Sequence, residues 1–193
     1  DISMMAGVSP NEDSYFGTSV FQHAKNRSLW LMLLMLSATV SGEILAHYEK
    51  AMAAMPVLIT FIPMLMGTSG NSGSQSSTMV IRGLAVGEIQ FKDFFRVVFK
   101  EIRVALIVGV LLAIVNGVRV YLMYDQDLTL AIAIGITMIA IVCMAKCVGC
   151  TLPLLAKKIG LDPALMAAPL ISTIMDTCTI LMYFAIITAL YRM

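Results

Sequence analysis

Charge is scarce in this sequence. Only 13% of its 193 residues are Asp, Glu, Lys or Arg, against 59% apolar residues. That balance excludes a disordered chain and an ordinary soluble domain, both of which carry more charge to stay solvated. The net charge is +1 and no run of Lys or Arg occurs, so nothing marks a nucleic-acid surface. There are only two histidines, His23 and His47. Neither sits in an HExxH pattern, no GxSxG is present, and the serines and threonines lack a neighbouring base, so an enzyme is not indicated. The four cysteines, Cys143, Cys147, Cys150 and Cys178, all fall in apolar stretches. That placement argues for free buried thiols over a secreted disulfide framework. The first three share a helix face at i, i+4 and i+7, but no histidine lies nearby to complete a soft-metal site. Small residues at a helix seam account for the spacing better. The first 28 residues hold no continuous apolar core and carry several charges, so no signal peptide is expected.

Apolar runs of membrane-spanning length are what the chain has in quantity, and its mean hydropathy is +0.88. The expected class is all-α: a polytopic membrane protein with five transmembrane helices, at about 29–46, 51–82, 104–124, 128–155 and 163–191. Residues 1–24 stand apart as an N-terminal segment, where Ser9, Pro10, Asn11, Glu12 and Asp13 suit a turn and a helix start. Lys25 and Arg27 precede the first span, Trp30 anchors its start at the interface, and Glu43 reads as an acid near the headgroups. The second span is different. Pro56 and Pro63 each remove a backbone donor, and residues 67–78 are all glycine or uncharged polar. Facing lipid, such a run leaves polar groups unsatisfied at several kcal/mol each, so the span is expected to be broken there and to line a cavity. An extramembrane loop of serine and glycine is the alternative.

Between Arg82 and Arg103 the cations Lys92, Arg96 and Lys100 interleave with Phe91, Phe94, Phe95 and Phe99. This reads as a basic, partly amphipathic cytoplasmic segment beside anionic headgroups. Further on, Arg119 can snorkel, Asp125, Gln126 and Asp127 form an acidic loop, and Lys146 lies in the second half of the fourth span. Lys157, Lys158 and Gly160 close that helix, and Asp162 with Pro163 opens the fifth. With the N-terminus cytoplasmic, Lys25, Arg27, Arg82, Lys92, Arg96, Lys100, Arg103, Lys157 and Lys158 lie inside, against Lys50, Arg119 and Arg192 outside. That bias places the C-terminus outside.

The apolar stretch 169–187 carries one acid, Asp176. A carboxylate at the centre of a membrane helix costs about 2.5–3.5 kcal/mol on insertion scales and normally faces a bundle interior or a wet cavity. Helical spacing puts Pro169, Ser172, Thr173, Thr179, Ile180 and Tyr183 on its face, with Ile171, Ile174, Met175, Cys178, Leu181 and Met182 opposite. Hydroxyls around one carboxylate suit a hydrated cation path. A pair with Lys146 is the structural alternative, disfavoured because Lys146 lies toward the cytoplasmic end of its span. No second acid of similar depth is evident, and one carboxylate cannot offset a divalent cation. Two copies about a two-fold axis would supply a second. Magnesium keeps several waters around one or two carboxylates, which fits such a pair; calcium favours a denser cage of direct oxygen ligands.

Three separated stretches now resemble one family in the right order: 61–75 (FIPMLMGTSGNSGSQ) continuing to Arg82, 153–165 (PLLAKKIGLDPAL), and 169–176 (PLISTIMD) with Tyr183 beyond. They are similar to the signature of MgtE magnesium channels, and the likeness covers essentially the whole chain. The resemblance implies a homodimeric, five-span channel in the plasma membrane, passing Mg²⁺ down its gradient through a pore on the two-fold axis. It implies that Asp176 selects the ion, with the carbonyl of Ser172 beside it. Gly67, Ser74, Thr78, Leu165 and Ala168 are implied as pore lining, and Thr173 joins them from its place on the polar stripe. Ser74 and Ala168 stand where an asparagine is common. Residues 1–24 would match the connecting helix that plugs the cytoplasmic mouth. Family members also carry cytosolic magnesium-sensing domains, which are not among these residues. A proton-coupled secondary transporter of divalent cations, with Asp176 as the proton and cation site, is the alternative.

Overall fold

A computed structural model describes residues 2–6, 8, 14–125 and 127–191. The expected turn and acids at Ser9–Asp13, Gln126 of the acidic loop, and Arg192 lie outside the described residues. The described part is helical throughout: α1 (Ile2–Met5), α2 (Val20–His47), α3 (Glu49–Ala54), α4 (Val57–Ala85), α5 (Phe94–Met123), α6 (Leu128–Lys158) and α7 (Ala168–Tyr191). Short 3₁₀ turns at Phe91–Asp93 and Pro163–Met166 precede α5 and α7. Three of these helices, α2, α6 and α7, are long and apolar enough to cross a membrane.

Two expectations about the elements are corrected. The second span does not break at residues 67–78, because α4 runs through them as one helix with Pro63 inside it. A helix satisfies its own backbone, so a polar composition needs partners only for its side chains. The break comes earlier, where Met55 and Pro56 separate α4 from the one-and-a-half-turn α3. The fifth span does not start at Pro163 as one helix. Asp162 caps the 3₁₀ turn, its Oδ1 accepting from the Ala164 N–H at 2.8 Å, and Ala167 is then extended before α7 begins. Gly160, with φ at 80°, ends α6 in the left-handed conformation that only glycine adopts without strain.

The helix α6 is the centre of the bundle, packed against α5, α4 and α7. Leu58, Phe61, Leu65, Ile134, Ile141, Phe184 and Ile187 fill the core between them and are almost wholly buried. Helices α4 and α6 approach closely at their glycines. A Cβ on Gly149 would run into the carbonyl of Gly73, so two glycines let the backbones touch. Cys150 fills a neighbouring core patch with Val80 and Leu154. By contrast α2 packs chiefly on α7 and leaves Leu29, Leu31, Leu33, Met35 and Leu36 more than half exposed. Such all-round apolar exposure suits hydrocarbon or a second subunit, not water.

Candidate functional site

Helices α4 and α7 run antiparallel, and hydroxyl groups hold them together. Tyr183 donates to the Leu58 carbonyl at 3.0 Å, Thr179 donates to Ser69 Oγ at 2.6 Å, and Ser77 donates to the Met166 carbonyl. A side chain on Gly70 would press on Ser172, so these helices also sit close there. The contacts of Gly70 with Ser172 and of Ser69 with Thr179 bracket Asp176 at about the level of residues 66–72 of α4.

The polar stripe expected around Asp176 is therefore divided by role. Thr179 and Tyr183 are buried and committed to α4, and Thr173 is buried with its hydroxyl donating to the Pro169 carbonyl at 2.9 Å. Ala168 is exposed, and Ser172 and Asp176 are partly exposed, at the four-residue spacing of one face of α7; Leu165, also partly exposed, lies in the 3₁₀ turn before it. On the apolar side of α7, opposite Asp176, Ile171 and Met175 are fully buried beside Ala145 of α6.

On α4 the open face carries Gly67, Ser74 and Thr78, of which Ser74 is partly covered. Asn71 and Gln75 are exposed on the same face and were not singled out within the run expected to line a cavity. Their spacing of four residues from Gly67 and from each other would have found them. A row of carboxamides and hydroxyls left uncovered on a helix inside an apolar bundle is costly in lipid and requires water or a second subunit.

The Asp176 carboxylate has no hydrogen-bond or ion-pair partner among the described residues, although Ser41 and Thr177 Oγ1 bond next to it at 2.6 Å, joining α2 to α7. Lys146 does not reach Asp176. Its Nζ lies 3.9 Å from Glu101 Oε2, an acid in the segment read as cytoplasmic and basic. Glu101 is four residues after Val97 and four before Ala105, on the apolar face of α5, and that position was the signal for its burial. A cavity of about 430 Å³ lies at the same end of the bundle, lined by Thr78, Arg82, Lys157, Asp162 and, from α1, Met5.

An unpaired carboxylate on an open polar face suits a cation in transit better than a structural role. The profile of the family described as MgtE, divalent cation transporter, matches residues 62–186, which include both stretches of the site. This chain belongs to the MgtE family. It is 36% identical over 160 residues to a protein of Thermus thermophilus named magnesium transporter MgtE, covering 83% of this chain and 35% of that protein. Bacillus subtilis and Enterococcus faecalis proteins of the same name are 31% and 29% identical, over 92% and 100% of this chain. The chain spans 35–42% of the length of these MgtE relatives.

Proposed function

We propose that this chain is the pore-forming part of a Mg²⁺ channel. Two copies would bring the open faces of α4 and α7 together across a two-fold axis, so that a hydrated Mg²⁺ passes between paired Asp176 carboxylates. The observation that carries the proposal is Asp176 itself, half-buried, without a partner among the described residues, and level with the uncovered polar face of α4. A second copy offsets the divalent charge and covers the carboxamides and hydroxyls that lipid could not. The relatives' naming as magnesium transporters supports the choice of ion. So does the chemistry, since Mg²⁺ dehydrates reluctantly and is served by one or two carboxylates through its waters.

In this reading α4 and α5 also cross the membrane, giving five spans with a cytoplasmic N-terminus and an outer C-terminus. The polar run lowers the hydropathy of α4 because its open residues face the pore while Ser69, Ser76 and Ser77 bond to neighbouring elements. Ser172 contributes its carbonyl beside Asp176, and Gly67, Ser74, Thr78, Leu165 and Ala168 line the path. Thr173 contributes only by shaping α7, since its hydroxyl is occupied. The α1 segment, which touches the Pro163–Met166 turn, closes the cytoplasmic mouth, where sensing domains of a longer chain would act on it.

The test is Mg²⁺ uptake by proteoliposomes holding the protein or its Asp176→Asn variant, which keeps the shape and removes the charge. The expected result is loss of Mg²⁺ flux with the dimer intact. Undiminished, selective flux from Asp176→Asn would end the proposal, and uptake that requires a proton gradient would favour a coupled transporter.

A further inference from the structure

A second acid is buried among these helices, and it does not face the path. Glu101 of α5, Ser76 of α4 and Lys146 of α6 converge from distant parts of the sequence. Ser76 donates to Glu101 Oε2 at 2.5 Å. Lys146 Nζ donates to Ser76 Oγ at 3.4 Å and lies 3.9 Å from the same carboxylate oxygen. Ser76 is 1% exposed, and the side chains of Lys146 and Glu101 are 6% and 16% exposed. The hydroxyl is the nearer partner of the carboxylate, and the ammonium stands further off. Serine is thus the first partner of Glu101, and lysine supplies the compensating charge.

Stability alone does not account for this cluster. Taking two charges out of water costs several kcal/mol per ion, and apolar replacements of such pairs are often as stable or more so. Its placement is more telling. Ser76 lies on the back of α4, while Ser74, Gln75 and Thr78 around it open on the other side. Three residues earlier, Gly73 is pressed on Gly149, a backbone contact in which neither residue has a side chain to key the rotation of α4 on α6. The neighbouring hydroxyl on that side, Ser72, is buried without a hydrogen-bond partner among the described residues, and the link to α5 at this level is the bond of Ser76 to Glu101.

We propose that Glu101 is a positioning residue for ion passage. Acting through Ser76, it sets the rotation at which α4 presents Ser74 and Thr78, and Lys146 balances its charge. The proposal rests on the pore reading above. It is tested in proteoliposomes by the ratio of Mg²⁺ to Ca²⁺ flux, because a merely structural role scales both fluxes with the amount of folded protein. Ser76→Ala breaks the link but lets Glu101 and Lys146 pair directly. The double variant Glu101→Gln/Lys146→Met removes both charges without leaving either unpaired. Each is expected to shift the ratio by about 2- to 30-fold, the range for changes along a physically connected chain. Adding Ser76→Ala to the double variant should shift it no further, since residues that act as one unit are not additive. Unchanged ratios, or shifts that simply add, overturn the proposal. Asp176→Asn in the same preparations separates the two ideas. Retained flux there overturns the pore reading and this one with it, whereas lost flux beside unmoved Ser76→Ala ratios overturns this one alone.

Discussion

Replacing Gly149 by alanine puts a methyl group where α4 and α6 touch. The new Cβ would lie 3.0 and 3.1 Å from the carbonyl carbon and Cα of Gly73 and closer still to its oxygen. Ordinary carbon–carbon contact is about 3.5–4.0 Å, so the helices must part by roughly half an ångström or more. The obstacle is backbone, which cannot swing away as a side-chain tip would. Overpacking of this kind costs about 1–3 kcal/mol. A glycine-to-alanine change also favours helix by about 0.8–1.0 kcal/mol, and the reference variant must share that gain. Gly117→Ala does so, because its Cβ would meet only the Ala131 carbonyl at 3.8 Å, an ordinary contact. The difference between the two variants therefore isolates the overpacking. At about 2–4 °C per kcal/mol for a chain of this size, Gly149→Ala should melt roughly 2–12 °C below Gly117→Ala. Thermal unfolding of the purified protein in detergent, followed by Trp30 fluorescence, reads this directly. Equal melting of the two variants would refute the close crossing at Gly73.

Thr179→Val removes the 2.6 Å bond to Ser69 that joins α7 to α4, and should cost about 0.6 and at most about 1.7 kcal/mol in the same melting assay. Asp127 accepts from the Leu130 N–H at 3.0 Å as the N-cap of α6, so Asp127→Ala should lose about 0.5–2 kcal/mol and Asp127→Asn much less. In a background with the four cysteines replaced by alanine, single cysteines at Asn71, Gln75 and Thr78 should react quickly with a hydrophilic maleimide. One at Ser76 should be protected, and comparable labelling there would contradict the division of α4 into an open face and a buried one.

The helix easiest to read was α6, whose apolar run is long and whose ends carry ordinary signals in Asp127 and Gly160; the start of α7 was read too early, because the 3₁₀ turn capped by Asp162 looks in sequence like a first helical turn. The polar run of α4 misled because composition was taken as a property of the backbone. Ser69, Ser76 and Ser77 each find a partner on another helix, and no single-chain pattern announces those partners. The same limit applied to Tyr183, which looked like part of a wet stripe and turned out to cap the junction with α4 through the Leu58 carbonyl. Asp176 was legible because an acid in an apolar helix is costly wherever it lies. Glu101 was not, since five neighbouring cations made its segment look like surface, although its i±4 neighbours Val97 and Ala105 placed it on the inner face.

The central claim is that two Asp176 carboxylates share one hydrated Mg²⁺ across a two-fold axis. The most direct measurement is an experimental structure of the protein in Mg²⁺, refined for ion density along the path between α4 and α7. The account predicts a dimer with density on the axis between the two carboxylates, roughly 4 Å from their oxygens where the waters are retained, or 2.0–2.1 Å where they are shed. A dimer in which the Asp176 side chains lie apart, with the ion bound elsewhere, would contradict it.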